Sequence, residues 1–262
     1  MHITVSTAYV QKNGNTADEY EDAFYPRSHV ETEAWYFRAA IADGATETSF
    51  AREWANYLAA GYCRRRFDPN RLADILGWTQ RRWKARVASL SLAWYAQEKA
   101  SMGAFSTLVG LTIFEDPHRW APNTADGVHD GRWTAVAVGD SCLIQVRDGA
   151  ALAMFPLTSS AQFSSRPALI SSLVSANRNL DAITRHAQGA WLSGDRFLLL
   201  TDAIAHWLLN SLENGKRGMA ELESATVTQE IFSQWVAALR TSHQMRNDDT
   251  TAMTIRIQAS PS

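Results

Sequence analysis

The chain has 262 residues, of which 46% are hydrophobic and 20% charged, a balance typical of a globular domain rather than a disordered or fibrous chain. Its net charge of −2, with no basic run longer than Arg64–Arg66, argues against a nucleic-acid partner, which needs a broad basic face. The sequence has no stretch of about 18 apolar residues and no basic leader before an apolar run. We therefore expect a cytoplasmic protein that does not bind membranes.

The first half of the chain predicts a layer of helices. Between Thr48 and Arg66, apolar side chains recur at three- and four-residue intervals, which is the pattern of an amphipathic helix. A second helical pattern covers residues 71–99, with a break expected near Gly77, and it ends at Gly103.

After Gly103 the sequence changes to short apolar runs separated by turn residues, which predicts strands. Asp148-Gly149 is typical of a tight hairpin turn. We interpret the Ser-rich residues 158–175 as an insertion or flap between strands. A helix is expected over roughly 218–241, before a final strand at 251–257. Because strands enclose helices at both ends, we expect one α+β domain over residues 1–262.

Carboxylates recur where predicted strands begin or end. Few of these positions have an obvious Lys or Arg beside them, so a buried carboxylate there would lack a compensating charge. Oxygen ligation of Mg²⁺ or Mn²⁺ explains this pattern most simply, and two such ions form a site for in-line displacement at phosphorus. Taken singly, each aspartate is more typical of a helix N-cap or a turn. The positions are Glu21-Asp22, Asp43, Asp140, Asp202 and Asp248-Asp249.

Six short motifs, together with their order, resemble the metal-dependent protein phosphatases of the PPM or PP2C family. They are EDAF (21–24), ADGATE (42–47), GAFST (103–107), VGDS (138–141), LLTDA (199–203) and NDDTTAMTI (247–255). The resemblance spans nearly the whole chain and is to a bacterial single-domain member. It implies an α+β fold, a four-layer α-β-β-α sandwich in which two antiparallel sheets are flanked by helices.

The resemblance also implies a ligand set for two Mg²⁺ or Mn²⁺ ions and a third, weaker site. Asp43 would bridge both ions, and the Gly44 carbonyl would bind one of them. Asp202 and Asp248 would complete the shell of the first ion, and Asp43, Asp202 and Asp248 would be the catalytic set. Glu21 and Asp22 would reach the second ion, and Asp140 the third.

The activity implied is hydrolysis of phosphoserine and phosphothreonine in proteins by a metal-activated water, with a substrate supplied by a bacterial Ser/Thr kinase. The sequence departs from the family pattern at several positions. Ala17 stands where many members have a phosphate-binding Arg, so Lys12, the nearest upstream cation, is the candidate substrate-binding residue. The later glycines of the second motif are lost, and Asp249 replaces a common Asn.

Two alternatives remain open on the sequence. One is a catalytically weak module of the same fold that binds a phosphoprotein without hydrolysing it, and Ala17 and the lost glycines favour it. The other is a metal phosphodiesterase that acts on small molecules.

Overall fold

The computed structural model describes residues 1–45, 50–64, 71–115 and 129–260, apart from the side chain of Tyr95. The predicted helix limits at Thr48 and Arg66 lie outside these residues, as does the end of the ADGATE motif. The strands are β1 (His2–Val10), β2 (Ala23–Tyr25), β3 (Val30–Glu33), β4 (Tyr36–Ala42), β5 (Phe105–Ser106), β6 (Leu108–Glu115), β7 (Gly131–Val138), β8 (Cys142–Arg147), β9 (Ala150–Phe155), β10 (Ile170–Ser171), β11 (Arg185–Trp191), β12 (Arg196–Leu200) and β13 (Thr250–Gln258). The helices are α1 (Ala51–Arg64), α2 (Ala73–Ala88), α3 (Trp94–Ser101), α4 (Leu180–Ile183), α5 (Asp202–Glu213), α6 (Gly218–Ala225) and α7 (Gln229–Thr241).

Two antiparallel sheets form the centre of the molecule. One has six strands in the order β3-β1-β13-β12-β8-β9, and the other has five in the order β11-β7-β6-β4-β2. A short pair, β10-β5, stands apart from both. Apolar side chains from the two sheets, such as those of Ile41 and Phe197, pack together in a buried layer between them.

Alternation along the strands explains the outer layers, because successive side chains point to opposite faces of a sheet. In β12, Phe197 and Leu199 face the other sheet, whereas Leu198 and Leu200 pack against helices α5 to α7. Ala40 and Ala42 of β4 likewise pack against α1 and α2. The order is helices, sheet, sheet, helices, so the predicted four-layer sandwich is confirmed.

The turns and helix ends that the sequence predicts are found in part. The Asp148-Gly149 hairpin is confirmed, and both residues have positive φ angles of 52° and 79°, as a primed turn requires. The break expected near Gly77 is wrong, since Gly77 lies inside α2 and the interruption comes after Ala88.

The helix expected over 218–241 is two helices. They separate after Ala225, and the Thr228 hydroxyl accepts a 3.2 Å hydrogen bond from the Ile231 amide to cap α7. Within the described residues, none of the helices combines the length and the apolar composition needed to cross a membrane.

Candidate metal centre

The pairing of β2 with β4 brings the first two acidic positions together. Ala23 lies opposite Ala42 in this antiparallel pair, so Asp22, just before β2, and Asp43, just after β4, lie at the same edge. Burial, and next the charges of Asp22 and Asp248, raise the pKa of Asp43 well above its usual range. Carboxylates from both sheets therefore lie close enough for their charges to interact.

The six-stranded sheet supplies its carboxylates at the corresponding end. Leu200 of β12 lies opposite Ala252 of β13. Asp202, at the start of α5 just after β12, and Asp248, just before β13, therefore lie at adjacent strand ends. Asp140 lies in the connection from β7 to β8, which crosses from one sheet to the other. The pattern of carboxylates at strand ends thus becomes one cluster at one end of the sandwich.

The backbone of Asp43 is held in place by hydrogen bonds to two residues at and just after the end of β5. Its carbonyl accepts hydrogen bonds from the Thr107 amide and the Ser106 hydroxyl, both at 2.8 Å. Its own amide donates to the Thr107 hydroxyl at 3.1 Å, and that hydroxyl also bonds Ser141 at 2.8 Å. These bonds fix the backbone that carries the Asp43 carboxylate, and they explain what the GAFST motif does here.

Gly44 lies where the chain has no room for a side chain. A Cβ on this residue would come within 2.8 Å of the Glu21 carbonyl oxygen and 3.1 Å of the Ala51 Cβ. Glycine therefore allows the Asp43 turn to pack directly against the backbone that leads into β2.

Asp22 is a buried carboxylate held by two threonine hydroxyls. Its Oδ2 accepts hydrogen bonds from Thr251 at 2.6 Å and from Thr201 at 3.0 Å. Its Oδ1 is buried and has no hydrogen-bond partner among the described residues. Burial raises the pKa of Asp22 to about 8, so that in this environment the carboxyl retains its proton at neutral pH.

Asp140 is buried as well, and neither of its carboxylate oxygens has a hydrogen-bond partner in the described part of the chain. Burial raises the pKa of Asp140 to about 6, although the charge of Arg246 acts in the opposite direction. A cation bound to these two oxygens would offset the cost of burying the carboxylate.

Arg246 is the residue that the sequence did not predict. Its guanidinium is ion-paired with the Asp202 carboxylate, and its Nε lies 3.6 Å from Oδ2 of Asp248. Its side chain is 43% exposed, so it reaches the cluster from the surface. Its position two residues before Asp248 was the available signal, but sequence spacing alone does not show where a side chain in a turn points.

Asp249 has a structural role beside the cluster. Its Oδ1 accepts a hydrogen bond from the Lys12 amide at 2.9 Å, and its Oδ2 accepts one from the Glu21 amide at 2.6 Å. The adjacent candidates Glu21 and Lys12 are thus tied through their backbones to the start of β13. Ala17 is exposed in a short 3₁₀ turn between them.

Comparison with solved structures identifies the fold. Over 98% of this chain and 100% of the other, the serine/threonine phosphatase PstP/Ppp of Mycobacterium tuberculosis is similar with a TM-score of 0.56 at 14% identity. PppA, a regulatory component of T6SS in Pseudomonas aeruginosa, gives a TM-score of 0.54 at 15% identity over 98% of each chain. The photosystem II phosphatase PBCP gives 0.54 at 13% identity, over 98% of this chain and 100% of that one.

The chain has the PPM/PP2C phosphatase fold. No protein-family model and no curated protein sequence matches it. At these identities the likeness to PPM structures shows the fold, whereas the chemistry of this chain depends on its own residues.

The acidic end of this PPM fold fits a divalent cation in its donor chemistry. Unused buried oxygens occur on Asp22, Asp140 and Asp202, and carboxylate oxygen is what Mg²⁺ and Mn²⁺ prefer. Over the described ranges, however, no three His, Cys, Asp or Glu side chains are arranged to hold one ion together. Arg246, which contacts both Asp202 and Asp248, occupies space between these two ligand candidates.

Proposed function

We propose that this protein is a metal-dependent phosphoprotein phosphatase that hydrolyses phosphoserine and phosphothreonine. The observation that carries the proposal is a group of buried carboxylates with unused oxygens. They lie at one end of a PPM-fold sandwich, where strands of both sheets begin or end. Arg246 pairs with Asp202, but Asp22 and Asp140 form no ion pair among the described residues. Burying such carboxylates is costly, so a function that supplies cations accounts for keeping them there.

The proposed cofactors are two Mg²⁺ or Mn²⁺ ions, with a third, weaker ion at Asp140. Asp43 would contact both principal ions, and the Gly44 carbonyl would contact one. When bound, the ions would acidify water for attack on phosphorus and stabilise charge on the phosphoryl oxygens. The remaining ligands would be Glu21, Asp22, Asp202 and Asp248.

The protein's own part in this chemistry is to hold its ligands still and to manage their protons. The Thr107 and Ser106 bonds fix the Asp43 backbone, and the two threonine hydroxyls fix Asp22. Asp22 would lose its proton on coordination, because its pKa of about 8 keeps the carboxyl neutral otherwise. Binding of the metal ions should therefore release protons near neutral pH.

The proposed substrate is a protein phosphorylated by a bacterial Ser/Thr kinase, encountered in the cytoplasm. PstP/Ppp, which has the same fold, is a serine/threonine phosphatase, and this supports the substrate class. Lys12 remains the proposed phosphate contact on the β1 side of the site, because Ala17 offers no charge.

One observation favours a second candidate, a binding module that holds a phosphoprotein without hydrolysing it. The Arg246 guanidinium already compensates Asp202, which is the role a metal would otherwise have. A protein in which this ion pair is permanent would keep the fold and lose turnover.

Phosphate release from a phosphothreonine peptide separates the two candidates. The assay compares chelator, Mg²⁺ and Mn²⁺ for the wild type and for Asp43→Asn and Asp202→Asn. The control is Asp148→Asn, because its hairpin lies at the far end of six-residue β8, about 20 Å along the strand. Metal-dependent release, lowered at least about 100-fold in the two site variants only, supports the phosphatase. A folded wild type that binds the peptide and releases no phosphate supports the binding module.

A further inference from the structure

A cleft of about 680 Å³ opens directly beside the carboxylate cluster. Its walls come from α5, from the Ser-rich segment after β9, and from the turn that follows α7. Arg246 lines the cleft and is also ion-paired with Asp202, so the cleft and the candidate metal centre share a wall. The other lining side chains include Ser164, Ser165, His206, Arg240, His243 and Asn247.

The charged side chains that line the cleft are both arginines, whereas the chain as a whole is acidic. Its lining contains two guanidinium groups and two imidazoles, and among the described residues none that line it carries a carboxylate. The chain as a whole has a net charge of −2. A concave surface lined by donors of one sign attracts ligands of the opposite sign.

Arg240 provides a fixed positive charge in this wall. It is 6% exposed, and its guanidinium donates to the Gln11 carbonyl at 2.9 Å and to the Thr250 hydroxyl at 3.0 Å. Its Nε is buried and has no hydrogen-bond partner among the described residues. These bonds hold the Arg240 side chain in place within the wall, whereas the Arg246 guanidinium reaches the surface.

The opposite wall is also held in position. The Ser160 amide donates a 2.7 Å hydrogen bond to Glu213 of α5, and the Phe163 ring packs edge-on against His206 with 5.3 Å between centroids. This anchors the segment that carries the Ser164 and Ser165 hydroxyls, which add neutral donors to the lining.

We propose that this cleft is an anion subsite that binds a carboxylate or phosphate next to the scissile phosphoresidue of the substrate, with Arg246 and His243 as its main donors. The proposal rests on the proposed phosphatase function, because it takes the adjacent carboxylate cluster as the reaction centre. Once Asp202 and Asp248 bind cations, they no longer neutralise Arg246, and its partly exposed guanidinium is available to the anion. The chain would therefore prefer acidic or multiply phosphorylated segments.

The test measures peptide binding and hydrolysis separately. Three fluorescent phosphothreonine peptides differ only in the flanking residues, which are Glu, phosphoserine or Gln. Fluorescence anisotropy with Mn²⁺, on versions of the peptides in which non-hydrolysable phosphonates replace the phosphates, gives Kd, and kcat/KM is measured with Mn²⁺ for the phosphopeptides and for p-nitrophenyl phosphate. The proteins are the wild type, Arg246→Gln, His243→Gln and, as a charge-matched control, Lys216→Gln in the exposed turn after α5.

We expect the Glu and phosphoserine peptides to bind the wild type about tenfold more tightly than the Gln peptide, as for one or two partly exposed charge-assisted contacts. This preference should fall at least about threefold in Arg246→Gln and in His243→Gln, persist in Lys216→Gln, and weaken with added salt. A preference for only one of the two anions identifies the source as carboxylate or phosphate.

Two results would overturn the subsite and leave the phosphatase intact: equal affinity for all three peptides, or a preference unchanged in both site variants, while p-nitrophenyl phosphate is hydrolysed in a metal-dependent manner. The reverse result, an anion preference lost in Arg246→Gln and His243→Gln but no hydrolysis of any substrate, supports the subsite and rejects the phosphatase.

Discussion

The Thr251 hydroxyl donates a 2.6 Å hydrogen bond to Oδ2 of Asp22, across 229 positions of sequence. Through this bond, β13 in one sheet sets the orientation of a carboxylate that precedes β2 in the other. Thr201 donates to the same oxygen and accepts a hydrogen bond from the Thr251 amide at 2.9 Å. The two threonines therefore orient Asp22 so that its Oδ1 stays unused.

Replacing Thr251 with valine removes this hydroxyl while keeping the shape of the side chain. We expect a loss of about 1–3 kcal/mol in the free energy of unfolding, because Asp22 and the Tyr20 hydroxyl each lose a buried partner. Mn²⁺ affinity should also fall, since Asp22 is no longer oriented. Urea denaturation and calorimetry measure the two effects.

Thr254→Val is the matched control for this change. Thr254 lies on the same strand and is buried, but its hydroxyl has no hydrogen-bond partner among the described residues. It should leave Mn²⁺ affinity unchanged. Equal effects of the two substitutions on metal binding would show that the Thr251 hydroxyl does not orient a ligand.

Gly44→Ala tests the close packing at the Asp43 turn. The added Cβ would lie 2.8 Å from a backbone carbonyl, so the backbone must shift, and we expect destabilisation by about 1–3 kcal/mol and loss of activity. Gly77→Ala is the control, since its Cβ would meet nothing closer than 3.6 Å inside α2 and should stabilise the fold by about 0.5–1 kcal/mol. Thermal unfolding distinguishes the opposite signs. A Gly44→Ala protein as stable and active as the wild type would contradict the close packing.

Because the pKa of Asp140 is raised, the free energy of unfolding of the metal-free protein, measured in chelator, should depend on pH. The folded state keeps a proton up to about pH 6, whereas the unfolded chain loses it near 3.8, so stability falls as pH rises between these values and stays lower above them. Asp140→Asn removes this cost. From about 1.36 kcal/mol per unit of pKa, its advantage over the wild type should grow by about 2 kcal/mol between pH 4 and pH 8. Urea denaturation at several pH values measures this difference. A constant difference would show that Asp140 has an ordinary pKa.

Arg246 and a bound cation should compete for Asp202 and Asp248. Arg246→Gln is expected to bind Mn²⁺ about three- to tenfold more tightly, because no guanidinium has to be displaced. In chelator the variant should be less stable by about 1–3 kcal/mol, since the buried Asp202 carboxylate loses its counter-charge.

The control for Arg246 is Arg256→Gln, which removes an exposed arginine on β13 that lies 3.9 Å from Glu223. It should change neither metal affinity nor, by more than about 0.5 kcal/mol, stability. Unchanged or weaker Mn²⁺ binding by Arg246→Gln would show that the guanidinium does not compete for the ligands.

Sequence reasoning located the strand ends and the acidic positions because both depend on local patterns. Asp43 and Asp202 each follow an apolar run, and a strand that ends in a carboxylate is readable without a structure. Thr201 and Thr251 were not readable in this way, because threonine is common in strands and its hydroxyl partner lies far away in sequence. Arg246 lies in a turn, where no periodicity indicates the direction of a side chain. The break after Ala88 was missed because Gly77 was a stronger local signal, yet a helix that packs against its neighbours tolerates a single half-buried glycine.

Calorimetric titration with Mn²⁺ tests the central claim most directly, because it measures cation binding without requiring turnover. The wild type and the Asp148→Asn control should bind two ions and release protons near neutral pH, and Asp43→Asn should bind at least about 100-fold more weakly. A folded wild type that shows no binding at millimolar Mn²⁺, or an Asp43→Asn protein that binds as tightly as the wild type, would contradict the assignment of this cluster as a metal centre.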